Sequence, residues 1–119
     1  MTESVAVVVV THNRADLLDR MLDGLAAQTR PVDRVIVVDN ASDDHTRQLL
    51  SARSDLPLVA HHSPDNTGGA GGFRTGVQAA FDEGHDRIWL MDDDVVPAPD
   101  CLAVLLGHDE PCLMAVRED

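Results

Sequence analysis

The sequence predicts an α/β fold, a Rossmann-like three-layer α/β/α arrangement with a mainly parallel sheet. Valine-rich apolar runs alternate along the chain with segments of helical periodicity, in the order β-α-β-α-β-α-β. This alternation favours parallel strands that are joined by right-handed crossovers, with helices on both faces of the sheet. Continuous apolar runs such as residues 5–10 are typical of strands that are buried on both faces.

The first strand and helix are predicted from two apolar patterns. Residues 5–10 form the strand, and the apolar side chains that follow recur at helical spacing. These helical positions are Leu17, Leu18, Met21, Leu22 and Leu25. Pro31 is predicted to end the helix, and residues 34–38 form a second valine-rich strand.

A short polar helix and a third strand are predicted next. Asp43 and Asp44 are expected to open the helix, because acidic side chains favour the positive end of the helix dipole. Residues 58–61 predict the third strand. The glycine-rich residues 66–72 are expected to form a loop that precedes the next helix.

The last predicted elements are two helices and two strands. The first of these helices is expected to bury a stripe of four side chains and to end at Gly84. The stripe consists of Phe73, Val77, Ala80 and Phe81. Residues 87–91 predict the fourth strand, residues 100–106 a short helix and residues 112–116 the start of a fifth strand.

Length and composition indicate one globular domain that covers residues 1–119. The chain is 44% hydrophobic and 25% charged, which is typical of a soluble protein. Its longest apolar run, residues 5–10, is far shorter than the roughly 20 residues that span a bilayer. No basic segment precedes this run, so no secretory signal is predicted and the expected location is cytoplasmic.

Charged residues, cysteines and histidines exclude several functions. Nine arginines and no lysine oppose 21 acidic side chains, and the net charge of −12 argues against a nucleic-acid partner. The absence of lysine excludes a P-loop or a Schiff base. Cys101 and Cys112 are too few for a disulfide framework and are expected to be buried thiols. His61 and His62 point to opposite faces of a strand and are expected to be structural.

Three consecutive carboxylates, Asp92, Asp93 and Asp94, follow the fourth predicted strand. They repel one another unless a cation or solvent offsets their charge. Alternate residues of an extended segment point the same way, so Asp92 and Asp94 are predicted to bind one Mg²⁺ or Mn²⁺ ion. A solvated acidic loop is the alternative interpretation.

Residues 66–72 are a candidate binding segment for an anion. Glycines let a ligand approach the backbone closely, and amide groups at a helix start favour negative charge. The segment lacks the dinucleotide-binding pattern, because Arg74 stands where that pattern has a small residue. A flexible loop and tight packing between helix and strand are the alternatives.

Polar side chains at two further strand ends are candidates for nucleotide binding, because ligands of open α/β sheets bind at the carboxyl ends of the strands. Asp39 can accept a hydrogen bond from a ribose hydroxyl or a base N–H, or it can cap a helix. Thr11, Asn13 and Arg14 offer donors that suit a base or a phosphate. Helix capping is again the alternative for Thr11 and Asn13.

Four segments together resemble family 2 glycosyltransferases of the GT-A fold. They are residues 8–14 (VVVTHNR), 35–42 (VIVVDNAS), 66–73 (NTGGAGGF) and 89–94 (WLMDDD). The last two segments are most similar to bacterial galactofuranosyltransferases, and rhamnosyltransferases are next. The resemblance covers residues 4–106 and implies a domain that binds a nucleotide-sugar donor.

The resemblance also implies roles for individual residues. Asp92 and Asp94 match metal-binding carboxylates, so the implied cofactor is Mn²⁺ or Mg²⁺. The donor that the resemblance implies is a UDP-sugar. The residues implied to contact this donor are Thr11, His12, Asn13, Arg14, Asp39, Asn66, Gly68, Gly69 and Asp93. In the implied reaction the metal neutralises the departing diphosphate, and an acceptor hydroxyl attacks the anomeric carbon with inversion.

A general base is the part of this reaction for which the sequence offers no candidate. In the family the base is an acidic residue well downstream of the acidic triplet, and Glu110, Glu118 and Asp119 come too early to match it. The chain is therefore expected to be the donor-binding part of the enzyme. It would lack the acceptor-binding half and have little activity alone.

Partners and alternative functions stay open at the level of the sequence. The expected acceptor is a glycan or a polyprenyl-linked glycan, and the full-length enzyme is expected to associate peripherally with the cytoplasmic face of the membrane. The alternatives are rhamnosyl transfer from dTDP-rhamnose and a nucleotide- or metal-binding module without turnover. An open sheet edge can also pair with a second copy, which makes a homo-oligomer a further expectation.

Overall fold

A parallel sheet forms the centre of the structure. The computed structural model describes residues 3–107 and the backbone of residues 112–114. Its strands are β1 Val5–Thr11, β2 Arg34–Asn40, β3 Leu58–Ser63, β4 Arg87–Asp92 and β5 Cys112–Met114. They lie in the order β3-β2-β1-β4-β5, and every neighbouring pair is parallel. The rest of the predicted fifth strand and the side chain of Cys112 lie outside the described residues.

Helices cover both faces of this sheet. They are α1 Ala15–Ala26, α2 Thr46–Ala52, α3 Gly68–Asp82 and α4 Cys101–Leu105. Apolar side chains of α1, α2 and α4 join one core cluster with β1 and β2, whereas Ala80 of α3 belongs to a second cluster on the opposite face. The predicted three-layer α/β/α architecture is therefore confirmed. No helix within residues 3–107 is long and apolar enough to cross a membrane.

The first helix differs from its prediction in its buried face and in its end. The buried side chains of that face include Leu18, Met21, Leu22 and Leu25. Leu17, which was expected among them, is 37% exposed because it lies at the margin of the face. The helix ends at Ala26, before Pro31, because the residues that follow already contact residues 98–102.

The buried side chain of Gln28 fixes the segment that follows the acidic triplet. Its Nε2 donates to the carbonyls of Gly24 (3.0 Å) and Ala98 (2.7 Å). Its Oε1 accepts a hydrogen bond from the Leu102 amide at 3.0 Å. These three contacts hold residues 98–102 against the end of α1.

The second helix starts later than predicted. It begins at Thr46, so Asp43 and Asp44 precede it and do not form its first turn. Asp44 Oδ1 instead accepts hydrogen bonds from the amide and the hydroxyl of Thr46, at 3.0 and 2.5 Å. From outside the helix, the carboxylate still satisfies an amide of the helix start.

Glycines form the start and the buried side of α3, which corrects a further prediction. The helix begins at Gly68, so the glycines expected in a loop lie in its first turns. Gly72 and Gly76 pack on β1, where an added Cβ would lie 2.5 Å from Val10 Cγ1 and 2.4 Å from Val8 Cγ1. The tight packing that was one of the alternatives for this segment is therefore present at Gly72.

The end of α3 departs from the prediction at Phe81 and matches it at Gly84. Phe81 is 74% exposed, because the small residues of the helix occupy the side that faces the sheet. Gly84 has a φ of 81°, and its amide donates to the Phe81 carbonyl at 3.0 Å. This type of helix ending requires a left-handed backbone, which glycine adopts without steric cost.

Replacing Gly76 with alanine tests the close contact between α3 and the sheet. Gly76→Ala forces a methyl group into the space of Val8 and is expected to lower the free energy of unfolding by about 1–3 kcal/mol. Gly69→Ala is the matched control, because nothing lies within 4 Å of its added Cβ, and it should leave stability unchanged or raise it. Urea denaturation measures both variants, and equal midpoints would contradict the close packing.

Candidate functional site

Four side chains form a row across the carboxyl ends of the strands. This polar row consists of His62, Asp39, Thr11 and Asp93. Thr11 pairs with Asp39 across β1 and β2, and Asp39 pairs with His62 across β2 and β3. Asp93 directly follows β4, and its carboxylate contacts the Thr11 hydroxyl. Thr11, Asp39 and Asp93 are buried although all three are polar.

Thr11 and Asp93 meet at the point where the strand order reverses. The chain adds β2 and β3 on one side of β1 and then places β4 on the other, and open α/β sheets bind ligands at such a switch point. Thr11 Oγ1 donates to Asp93 Oδ2 at 2.9 Å, and Arg14 Nη1 donates to Asp93 Oδ1 at 3.3 Å. Burial raises the pKa of Asp93, while the hydrogen bond from Thr11 and the charge of Arg14 act against that rise.

Asp39 is held by one donor on each carboxylate oxygen. His62 Nδ1 donates to Oδ2 at 2.8 Å, and the Ser42 amide donates to Oδ1 at 3.1 Å. Only 2% of Asp39 is exposed. His62, which was expected to be only structural, therefore contacts a candidate binding residue. The sequence alone does not indicate this contact, because it depends on the register in which β2 and β3 pair.

Asn40 connects three segments of the same edge and was missed in the sequence. Its Nδ2 donates to the Gly68 carbonyl at 3.0 Å, and its Oδ1 accepts from Thr67 Oγ1 at 3.3 Å. His12 Nδ1 donates to the backbone carbonyl of Asn40 at 2.6 Å. The start of α3 is thereby connected to the turns after β1 and β2. A second polar residue at the end of a buried strand is the signal that indicates Asn40.

The turns after β1 and β2 form one hydrogen-bonded unit. Asn13 and Ala41 both have left-handed backbones, with φ values of 52° and 55°. Asn13 Oδ1 accepts from the amides of Asp43 (2.8 Å) and Asp44 (3.3 Å). The backbone amide of Asn13 donates to Ser42 Oγ at 2.9 Å. The side-chain oxygen of Asn13 is therefore engaged within the protein. Its NH₂ group lies 3.4 Å from His12 Nε2 and has a second N–H that suits a ligand.

Two residues of the acidic triplet, Asp92 and Asp93, lie on opposite faces of the sheet. Asp93 is 5% exposed and belongs to the polar row, whereas Asp92 is exposed and Asp94 is half-buried. Asp92 pairs with Val10, which packs against Gly72, so Asp92 lies on the α3 face. β4 ends at Asp92 and the next two residues form a turn. The extended geometry from which a shared ion was predicted therefore ends at Asp92.

Asp92 and Asp94 offer carboxylate oxygens, the ligand type that Mg²⁺ and Mn²⁺ prefer. Across the part of the chain that the structure describes, no group of three or more His, Cys, Asp or Glu side chains forms a metal site. Two carboxylates fit a cation that takes its other ligands from water and a substrate phosphate. The metal-binding role of Asp92 and Asp94 stays a prediction.

The remaining candidates lie at the start of α3. Asn66 Oδ1 accepts a hydrogen bond from the Gly68 amide at 2.9 Å, so this amide has a partner within the chain. Gly69 is exposed, and nothing lies within 4 Å of the position of its missing Cβ. The contacts of Asn40 connect this segment to the strand ends. Binding of a nucleotide by Asn66, Gly68 and Gly69 stays a prediction.

Two solved structures match this fold over most of the chain. The mannosyltransferase PcManGT from Pyrobaculum calidifontis, in complex with GDP-Man and Mn²⁺, is 31% identical with a TM-score of 0.76, and the match covers 89% of this chain and 32% of that one. S. aureus TarS in complex with UDP-GlcNAc is 25% identical with a TM-score of 0.78, and the match covers 87% and 30%. The fold is that of GT-A glycosyltransferases.

The amino-acid sequence matches one family over most of its length. Residues 6–111 fit the model of glycosyl transferase family 2, so this chain belongs to that family, as its motifs predicted. Galactofuranosyltransferase GlfT1 from Mycolicibacterium smegmatis is 46% identical over 97 residues, which cover 82% of this chain and 32% of the relative. GlfT1 from Mycobacterium tuberculosis is 48% identical over 98 residues, which cover 79% and 31%. The chain thus spans about a third of the length of these relatives.

Thr11→Val tests the buried hydrogen bond in the polar row. Valine has the shape of threonine but cannot donate, so Asp93 loses a partner, and the free energy of unfolding is expected to fall by about 1.5–3 kcal/mol. Thr11→Ser keeps the hydroxyl and is expected to cost about 1 kcal/mol through its lost methyl group. Chemical denaturation compares the two, and a valine variant as stable as the serine variant would argue against this hydrogen bond.

Proposed function

We propose that this chain is the donor-binding part of a metal-dependent, inverting galactofuranosyltransferase. In this proposal the enzyme transfers galactofuranose from a UDP-sugar to a glycan or glycolipid acceptor. The polar row at the switch point carries the proposal, because its buried Asp93 contacts the exposed Arg14. Asp92 and Asp94 flank Asp93 in the sequence. Support for the sugar comes from the two galactofuranosyltransferases that are 46% and 48% identical to the chain.

Arg14 is the residue that we assign to the diphosphate of the donor. Its guanidinium donates to Asp93 at 3.3 Å, and 54% of its side chain is exposed, so further N–H groups are available to a ligand. The chain carries a net charge of −12, so a diphosphate needs a local cation to offset repulsion. Asn13 adds a side-chain NH₂ group at the same turn.

Asp92 and Asp94 are the residues that we assign to a divalent cation, Mn²⁺ or Mg²⁺. Positive charge at this position stabilises the departing diphosphate. The support is the carboxylate chemistry of the two residues, their place beside the switch point and the Mn²⁺ in the PcManGT complex. Asp93 acts differently, because its buried carboxylate holds Thr11 and Arg14.

The nucleoside of the donor is assigned to the β2 side of the polar row. Asp39 can accept a hydrogen bond from a ribose hydroxyl or a base N–H, and Thr11 is its neighbour on β1. Residues 66–69 border the nucleotide in this arrangement, and His12 supports them through its hydrogen bond to Asn40. The support is that these residues all belong to one edge of the sheet.

The acceptor and the general base are not assigned to described residues. The sequence predicts that Glu110, Glu118 and Asp119 come too early in the chain to be the base. These three residues lie outside the described part of the chain. We propose a glycan or polyprenyl-linked acceptor and a location at the cytoplasmic face of a membrane. The support for both is the resemblance of the four sequence segments to bacterial galactofuranosyltransferases.

Calorimetry with UDP tests the metal site. The wild-type chain is expected to bind UDP at least about tenfold more tightly with Mn²⁺ than with EDTA, and Asp92→Asn or Asp94→Asn should lose that gain because a metal ligand is removed. Asp82→Asn is the matched control, since it removes the same charge at the far end of α3. A control that loses the Mn²⁺ effect as fully as Asp92→Asn would contradict the site, and absence of UDP binding would contradict the proposed function.

Competition between nucleotide-sugars tests the donor. UDP-galactofuranose is expected to displace labelled UDP at about tenfold lower concentration than dTDP-rhamnose, because dTDP lacks the ribose 2′-hydroxyl and the two donors carry different sugars. UDP-glucose is the control for the sugar, since it shares the whole nucleotide. Preferential displacement by dTDP-rhamnose would instead favour the rhamnosyltransferase alternative.

A further inference from the structure

The imidazole of His62 belongs to the polar row, yet the proposed function gives it no role. It comes from β3, the neighbour of β2 in the sheet, and its Nδ1 lies 2.8 Å from Asp39 Oδ2. The His62 side chain is 23% exposed and the Asp39 side chain 3%. His62 is therefore the more accessible member of a largely buried pair.

The direction of this hydrogen bond follows from the chemistry of a carboxylate. An ionised carboxylate only accepts hydrogen bonds, so His62 Nδ1 carries the proton and donates it to Asp39. The Ser42 amide occupies Oδ1 and His62 occupies Oδ2, so each oxygen retains a lone pair for one further donor. His62 and Ser42 together fix the plane of the carboxylate and hence the direction of these lone pairs.

We propose that His62 is a positioning residue that orients the Asp39 carboxylate toward the base of the donor nucleotide. In this orientation Asp39 accepts a hydrogen bond from a base with a ring N–H, such as uracil. Cytosine has an unprotonated nitrogen at the same ring position. This nitrogen is an acceptor and would face the Asp39 carboxylate, which is also an acceptor. This role depends on the proposed function, because it requires a nucleotide at the polar row.

His61 offers a comparison within the same strand. Successive strand residues point to opposite faces, and His61 pairs with Val38, so it lies on the face opposite to His62 and Asp39. The two histidines have the same side chain and differ in the face that they occupy. A substitution at His61 therefore controls for the loss of an imidazole from β3.

Binding of UDP and CDP, each with Mn²⁺, tests this role, because the two nucleotides share the ribose and the diphosphate. His62→Ala is expected to weaken UDP binding about tenfold and CDP binding less than about twofold. His62→Asn places an amide NH₂ near the position of Nδ1 and should restore UDP binding to within about threefold of wild type. His62→Gln places its amide further from the backbone and should resemble His62→Ala, whereas His61→Ala should resemble wild type.

Equal weakening of UDP and CDP by His62→Ala, or no weakening of either, would overturn the positioning role. Equal UDP affinities of the asparagine and glutamine variants would also overturn it. Thermal unfolding reveals whether the alanine variant folds. If it does not fold, the comparison of the asparagine and glutamine variants decides the outcome. A wild-type chain that binds UDP no better than CDP overturns this role alone. One that binds neither nucleotide overturns the proposed function as well.

Discussion

Two buried carboxylates impose the main constraint on the carboxyl edge of the sheet. Asp39 and Asp93 are withdrawn from water, and an ionised carboxylate in such a place requires hydrogen-bond donors. Thr11 and Arg14 donate to Asp93, while His62 and an amide of the turn after β2 donate to Asp39. These donors come from two strands and two turns, so they converge only when the strands pair in the observed register. The contacts that stabilise the edge therefore also determine its chemistry.

The strands could be predicted from the sequence far better than the start of α3. Valine-rich runs leave little alternative for β1 and β2, because such runs are stable only when both faces are covered. Glycine is a weak helix former, so the local preference of residues 68–72 is for a loop. A helix forms there because Gly72 and Gly76 let it approach β1, an advantage that exists only after helix and sheet have met. The prediction that Phe81 is buried was wrong for the same reason, because the glycine side of α3 faces the sheet.

The positions of the candidate site could be predicted, but the contacts within it could not. Asp39 and Asp93 follow apolar runs, so the general rule for open α/β sheets was enough to select them. The partner of Asp39 depends on the register between β2 and β3, which decides which of two adjacent histidines lies on its face. Asn40 contacts the first turn of α3, and local preferences do not predict where this helix starts. The contacts of both residues therefore emerge only from tertiary structure.

The left-handed backbones at Asn13 and Ala41 bear on how a ligand meets this edge. Asparagine tolerates such a conformation, whereas alanine adopts it with a strain of about 1–3 kcal/mol. The hydrogen bonds between the two turns sustain this strain in the folded chain, so the turns are preorganised before any ligand arrives. A ligand then loses no affinity to ordering them, and the unfavourable energy appears as lower stability of the free protein.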